Sequence, residues 1–189
     1  MVYVGNKEIL KLHKTAFLCS RKIPASVVLK CYDWAVKMRE EGRCVISGFH
    51  SKIEKDVLHY LLKGKQPIIV VLARGMKKNI EPELKKTLDE NRLLIISPFD
   101  ESVKRVTEET AMKRNEMMIE LADEVVVGYL SQVGNLSKLL PLKDTQFIII
   151  DKDFVKPQIE DIDIYDRYMT PDDEKHPPLI RYFRLRSSS

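Results

Sequence analysis

The sequence has no long apolar segment. Its apolar runs, at residues 68–73 and 125–127 for example, are far shorter than the ~20 residues that a membrane-spanning helix needs. The first residues also contain no apolar stretch followed by small residues, as a secretory signal has. We therefore expect a protein without a membrane span that stays in the cytoplasm.

Cysteine is scarce, which limits the covalent and metal chemistry that the chain offers. Cys19, Cys31 and Cys44 are odd in number and match neither the spacing of a zinc site nor that of a redox pair. The four histidines are scattered, without metal-ligand spacing or paired carboxylates. We predict buried free thiols and no metal site.

Motifs that define several enzyme classes are missing. No GxGxxG follows the first predicted strand and no GxxxxGK[ST] occurs, which argues against a standard dinucleotide site and against a Walker-type triphosphatase. The GxSxG turn of the serine hydrolases is absent too. No set of carboxylates is spaced for acid or base catalysis. The sequence thus favours binding over catalysis, and we assign no catalytic residue and no cofactor.

A large excess of one sign of charge is also lacking, since 32 Lys and Arg residues stand against 28 Asp and Glu residues. The distribution is nevertheless uneven. Residues 151–178 contain nine acidic and four basic residues, whereas residues 1–150 carry a net charge of +6. A basic body of this kind is compatible with an anionic ligand.

The sequence does contain a regular alternation of strand and helix patterns. Six short, β-branched-rich runs have the continuous hydrophobicity of strands covered on both faces, and amphipathic stretches of crossover length separate them. The runs occupy residues 15–19, 44–47, 68–72, 93–96, 124–129 and 146–150. This pattern predicts an α/β fold with a Rossmann-like, doubly wound, mainly parallel six-stranded sheet and helices on both faces. It predicts one domain over residues 1–151 and a C-terminal extension over 152–189 with little core of its own.

Polar residues and glycines follow the predicted strands at their ends. In an open α/β sheet, ligands bind at the carboxyl ends of the strands, so these residues are expected to converge on one crevice. Serine donates to phosphate oxygens, arginine binds two oxygens at once, and glycine lets the backbone approach. The candidates are Ser20, Arg21, Ser47, Gly48, Arg74, Gly134 and Asn135. We interpret them as a phosphate-binding crevice.

Three stretches of the sequence form a recognisable set of motifs. The first is Gly5-Asn6 with Leu10, followed by AFLCSRK at residues 16–22, and the second is SGFHSKI at residues 47–53. The third joins Arg114-Asn115, an Ala-Asp pair at 122–123 and a Gly-Asn-Leu loop at 134–136. Together they resemble the Rossmann-like domain of the DNA-processing protein A (DprA, or Smf) family over residues 5–151. The family motifs that they match are GN..LL, A-x-x-G-[ST]-R-K, S-G-x-A-x-G-I-D, R-N-R and S-G-[ST]-L.

The resemblance implies a protein that binds single-stranded DNA through this domain and helps to load a recombinase, as a homodimer. By the same resemblance, the contacts to phosphates and sugars would come from Arg21, Ser47, Gly48, Lys52, Arg114, Asn115 and Gly134, and would fix position without reading sequence. The chain departs from the motifs at Cys19 and Lys52, where glycine is expected, and at Glu116, where arginine is expected.

Two other functions stay open. The chain is also similar to a second family of the same superfamily, the lonely-guy phosphoribohydrolases, which cleave nucleoside monophosphates with a glutamate in a P-G-G-x-G-T-x-x-E loop. The corresponding residue here is Lys138, a cation that cannot replace a carboxylate, so hydrolysis by that mechanism is not expected. The other alternative is a noncatalytic nucleotide sensor that uses the same crevice.

Overall fold

The computed structural model describes residues 1–76, 79–132, 134–140 and 147–150. No helix within these ranges has both the length and the apolar character that crossing a bilayer requires. The predicted extension over residues 152–189 lies outside the described residues, so the division of the chain at residue 151 stays a prediction.

One sheet organises the described residues. Its strands are β1 (Val2–Gly5), β2 (Lys14–Leu18), β3 (Cys44–Ser47), β4 (Ile68–Val71), β5 (Leu93–Ser97), β6 (Glu124–Val127) and β7 (Phe147–Ile149). Their order across the sheet is β1-β5-β4-β3-β2-β6-β7. Strands β2 to β7 are parallel, whereas β1 pairs with β5 in the antiparallel sense.

Two of the five α-helices in the described residues begin at capping boxes that satisfy their first backbone amides. A short 3-10 helix covers Lys7–Lys11, and the α-helices are α1 (Ala25–Glu40), α2 (Lys52–Leu62), α3 (Pro82–Asp89), α4 (Glu108–Leu121) and α5 (Asn135–Leu139). Ser51 and Glu54 form a capping box at α2, and Thr107 and Thr110 form one at α4. Pro82 occupies the first turn of α3, where its missing N–H costs no hydrogen bond.

Helices cover both faces of the sheet because the strand residues alternate between two cores. Phe17 of β2 packs with α1, α2 and α3, and its ring stacks on Trp34 with centroids 4.8 Å apart. Its neighbours Ala16 and Leu18 face α4 and α5. The predicted Rossmann-like α/β fold is confirmed, and all three cysteines are buried thiols that take part in no disulfide bond, as predicted.

The sheet has one strand more than the sequence pattern predicted. β1 has only four residues, lies at an antiparallel edge and needs no crossover helix, so it gives no periodic signal. Gly5 ends it with φ near 102°, and a side chain there would meet the Leu93 carbonyl oxygen at 2.2 Å. The Gly-Asn motif therefore has a structural reason at this edge, because Asn6 caps the 3-10 helix that follows.

The sheet reverses its winding direction beside β2. The chain moves outward through β3, β4 and β5, then returns to the other side of β2 to form β6. The loops after β2 and β6 therefore leave the sheet in opposite directions, and such a switch point is where open α/β sheets form a crevice.

Candidate functional site

A cleft of about 660 Å³ opens at this switch point. Residues after β2, β3 and β6 line it, together with the first turns of α4 and the start of α5. Within the described residues, no three His, Cys, Asp or Glu side chains are grouped so that they could hold a metal ion. The cleft lining combines the cations Arg21, Lys22 and Arg114 with amide and hydroxyl side chains and the carboxylates of Glu54 and Glu108.

The structure brings six of the ten predicted site residues into this cleft. They come from three separate segments of the chain, which only the parallel sheet places side by side. The six are Ser20, Arg21, Arg114, Asn115, Gly134 and Asn135.

The other four predicted residues do not line the cleft. Ser47 is fully buried, and its hydroxyl donates to the Phe17 carbonyl oxygen at 2.8 Å, which ties β3 to β2. Lys52 is exposed in the first turn of α2, and Arg74 lies after β4, where its carbonyl oxygen accepts a hydrogen bond from Ser97. Gly48 lies behind the cleft wall.

Gly48 makes room for a buried arginine. A Cβ atom at this position would lie 2.6 Å from Cζ and Nη1 of Arg114, closer than any side-chain carbon can approach. The glycine therefore allows the guanidinium to pack against the backbone after β3. Glycine is therefore needed at position 48 to avoid a clash with Arg114. The sequence analysis had explained it differently, as a position where the backbone approaches a phosphate.

Arg114 is the central cation of the cleft. It projects from α4 and is only 6 % exposed. Its Nε and Nη2 atoms donate to Asn115 Oδ1 at 3.1 and 2.9 Å, and within the described part of the chain no carboxylate oxygen lies within 4.0 Å of it. Burial lowers the pKa of this guanidinium from its ordinary value, Glu54 raises it, and Arg21 lowers it further. A buried cation without a salt bridge is a favourable partner for an anion.

Ser20 and Arg21 form the wall after β2. The Ser20 amide donates to the Tyr129 carbonyl oxygen and its Oγ accepts from the Ser131 amide, both at 3.0 Å. These two hydrogen bonds hold the loops after β2 and β6 together across the switch point. Arg21 extends from this fixed position to the exposed rim, close enough to Arg114 for the two charges to interact.

Two charged or titratable residues that shape the cleft, Glu54 and His50, are not among the predicted site residues. Glu54 is only 4 % exposed, and its Oε2 accepts hydrogen bonds from the His50 and Ser51 amides at 2.9 and 3.0 Å. The sequence predicted Glu54 as part of the cap of α2. In the structure this capping carboxylate also lines the cleft. Burial, followed by the charge of Arg114, lowers the pKa of His50 from its ordinary value. Of the four histidines, His50 alone follows a predicted strand closely enough to lie near the predicted crevice, but its closeness to Arg114 could not be predicted because the two lie far apart in the sequence.

Lys138 does not line the cleft. It is exposed on α5, where its Nζ lies 3.9 Å from a carboxylate oxygen of Glu108. The residue that corresponds in the sequence to the glutamate of the phosphoribohydrolase motif is thus a lysine in a surface ion pair on α5.

Comparison with known families identifies one match. The family described as DNA recombination-mediator protein A matches residues 1–134 of the chain. No curated protein sequence matches it at a significant level.

Solved structures share the fold at low sequence identity. DNA processing protein A from Helicobacter pylori, whose structure concerns its single-stranded DNA binding mode, has a TM-score of 0.62 at 16 % identity, over 78 % of this chain and 69 % of that one. DprA from Streptococcus pneumoniae has a TM-score of 0.55 at 18 % identity, over 77 % and 62 %. A molybdenum cofactor binding protein from Rippkaea orientalis has 0.51 at 14 % identity, over 73 % and 76 %. At these identities the likeness establishes the fold alone.

Proposed function

The chain belongs to the DNA recombination-mediator protein A family, and from this premise we propose that it binds single-stranded DNA in the cleft at the switch point of its sheet. Family membership assigns the chain to DNA processing. The single-stranded DNA binding of the similar H. pylori protein supports the choice of ligand. The chain spans 62 % of the length of the S. pneumoniae protein. Any activity of the longer proteins is therefore only proposed for this chain.

The observation that carries the proposal is the environment of Arg114. Its guanidinium is buried, held by a neutral amide and not paired with a carboxylate within the described residues. A protein that needed this arginine only for stability would gain from a counter-ion at such a site. A phosphate supplies that counter-ion, and its two oxygens suit the fork of a guanidinium.

The remaining donors of the cleft complete a phosphate site. Arg21 at the rim would meet the strand first, and Arg114 would hold a phosphate deeper in the cleft. The Asn115 side-chain amide nitrogen is available as a further donor, because its oxygen is the atom that accepts from Arg114. Contacts of this type fix the position of a strand and carry no sequence information.

Arg21 is expected to contribute a salt-dependent part of the affinity. Replacing it with alanine should weaken binding of a labelled oligodeoxynucleotide by about five- to tenfold at low salt. It should also make the slope of log K against log salt shallower by about 0.7, the value for one phosphate contact on a single strand. Fluorescence anisotropy over a salt series measures both quantities.

The control for Arg21→Ala is Arg43→Ala. Arg43 is another exposed arginine, but it precedes β3, at the amino ends of the parallel strands, whereas the cleft lies at their carboxyl ends. It forms an ion pair with Glu124. The control variant should bind as the wild type does. Equal losses in the two variants, or binding that does not respond to salt, would contradict a cleft-centred site.

His50 is expected to make the affinity pH-dependent. Its lowered pKa keeps the ring neutral at pH 7, and protonation below its ordinary pKa of 6.5 adds a positive charge beside Arg114, Arg21, Lys55 and Glu54. Affinity for an oligodeoxynucleotide, whose phosphodiesters do not titrate in this range, should rise about threefold from about pH 7.5 to about pH 5. His50→Gln should reduce this rise, and an unchanged pH profile in the variant would exclude His50 as its source.

Two partners belong to the same proposal. A recombinase would receive the bound strand, and a second copy of the chain would complete a homodimer. Both are implied by the resemblance alone.

A further inference from the structure

A carboxylate lies inside the cleft that we propose for an anion. Glu54 is nine-tenths buried and belongs to the same wall as Arg114. The loop between β3 and α2 touches both residues. It begins at Gly48, which packs on the Arg114 guanidinium, and ends at Ser51, whose amide donates to Glu54. The two opposite charges therefore flank one short loop.

One oxygen of this carboxylate has no hydrogen-bond partner among the described residues. Oε2 accepts from the His50 and Ser51 amides, whereas Oε1 accepts no hydrogen bond from any described residue. No Lys or Arg nitrogen of the described chain lies within 4.0 Å of Glu54, although its charge acts on Arg114 and His50. Capping α2 thus uses half of the carboxylate and leaves the other half for a ligand.

The chemistry of the pair restricts what can bind. A carboxylate repels phosphate oxygens and accepts hydrogen bonds from hydroxyl or amine groups. A ligand that satisfies both side chains must present an anion to Arg114 and a donor to Glu54. A nucleotide with a free sugar hydroxyl has both groups on its sugar and phosphate, while an interior nucleotide of a DNA strand has both sugar hydroxyls esterified and keeps only the N–H groups of its base as donors.

Building on the proposed function, we propose that the cleft binds a nucleotide that has a free sugar hydroxyl, with its phosphate on Arg114 and this hydroxyl on Glu54. Such a nucleotide is either a free ribonucleotide or the 3′ end of a DNA strand. The volume of about 660 Å³ agrees with this choice, because it lies in the range of pockets that enclose one small ligand.

Matched probes that differ only in the sugar hydroxyl test the proposal on the wild-type protein. Calorimetry compares adenosine monophosphate with its 2′,3′-dideoxy form, and a thymidine 12-mer ending in a 3′ hydroxyl with the same strand ending in a 3′-dideoxy sugar. We expect the hydroxyl form to bind about tenfold more tightly in at least one pair. The first pair identifies a free nucleotide and the second a strand end.

Glu54→Gln provides the second measurement. Glutamine can still accept the two amide hydrogen bonds of the cap, so α2 should keep its start, but its NH₂ group would replace the acceptor in the cleft. The preference for the hydroxyl probe should fall to within about twofold. Glu83→Gln, which removes a first-turn glutamate from α3 instead, should keep the preference.

The outcomes separate the two proposals. A 12-mer that binds with no preference for its 3′ hydroxyl, together with mononucleotides that show none, overturns this inference and leaves the DNA site standing. A preference that persists in Glu54→Gln overturns the role of Glu54. If no probe binds even at low salt, the proposed function fails and this inference fails with it.

Discussion

Replacing Arg114 with alanine is expected to weaken the binding of a single-stranded oligodeoxynucleotide by about 10- to 100-fold. Hydrogen bonds to charged groups contribute about 1.5–3 kcal/mol, and about 1.4 kcal/mol corresponds to a factor of ten. The loss should exceed that of Arg21→Ala, because Arg114 is buried and its charge is screened less by water and salt. Anisotropy titrations at one fixed salt concentration measure it.

Arg114→Lys separates charge from geometry. Lysine keeps the positive charge but cannot form the fork with two phosphate oxygens or the two hydrogen bonds to Asn115 Oδ1. We expect an affinity between those of the wild type and the alanine variant. The Arg114→Ala variant should keep the wild-type melting temperature, which shows that it is folded. If such a variant bound DNA with wild-type affinity, the proposed site would be wrong.

Replacing Asn115 with aspartate is expected to stabilise the protein while abolishing most of its DNA binding. The Asn115 oxygen already lies 2.9 to 3.1 Å from two guanidinium nitrogens, so a carboxylate there would form a buried ion pair without rearrangement. The new carboxylate would neutralise the buried charge of Arg114, so that this charge is no longer available to a phosphate. We expect a gain of about 1 kcal/mol in the free energy of unfolding, which is about 3 °C at this length, and a loss in affinity of at least about tenfold.

The control for this substitution is Asn115→Ala. Alanine removes the acceptor that orients Arg114 but adds no charge, so both stability and binding should decrease. Thermal unfolding and titration of the two variants therefore give opposite signs for stability and the same sign for binding. An aspartate variant that binds DNA as the wild type does would show that the charge of Arg114 is not what the ligand needs.

The local features of the fold could be predicted from the sequence because they depend on near neighbours. The continuous apolar runs marked the six parallel strands, and the Ser51–Glu54 spacing marked the start of α2. The strand β1 was not predicted, because an edge strand of four residues has neither a continuous buried run nor a crossover helix beside it.

The position of the cleft at the strand ends was predictable, but not the full set of residues that line it. Strand ends carry polar residues, and six of those singled out share the cleft. Ser47 occupies the last position of β3, as expected, but the pleat turns its hydroxyl into the sheet toward Phe17. Arg74 follows a strand two places away from the switch point, outside the lining of the cleft.

The sequence by itself determined the layered α/β architecture, the buried thiols and the presence of polar residues at the strand ends. Hydrophobic periodicity and capping are short-range properties that a single chain segment displays. Only the tertiary structure decided that Arg114 is buried against Gly48 and shares a cleft with Glu54. Arg114 lies 60 or more positions from Gly48 and Glu54 in the chain, and its proximity to them follows from the reversal of the sheet beside β2, which no local pattern encodes.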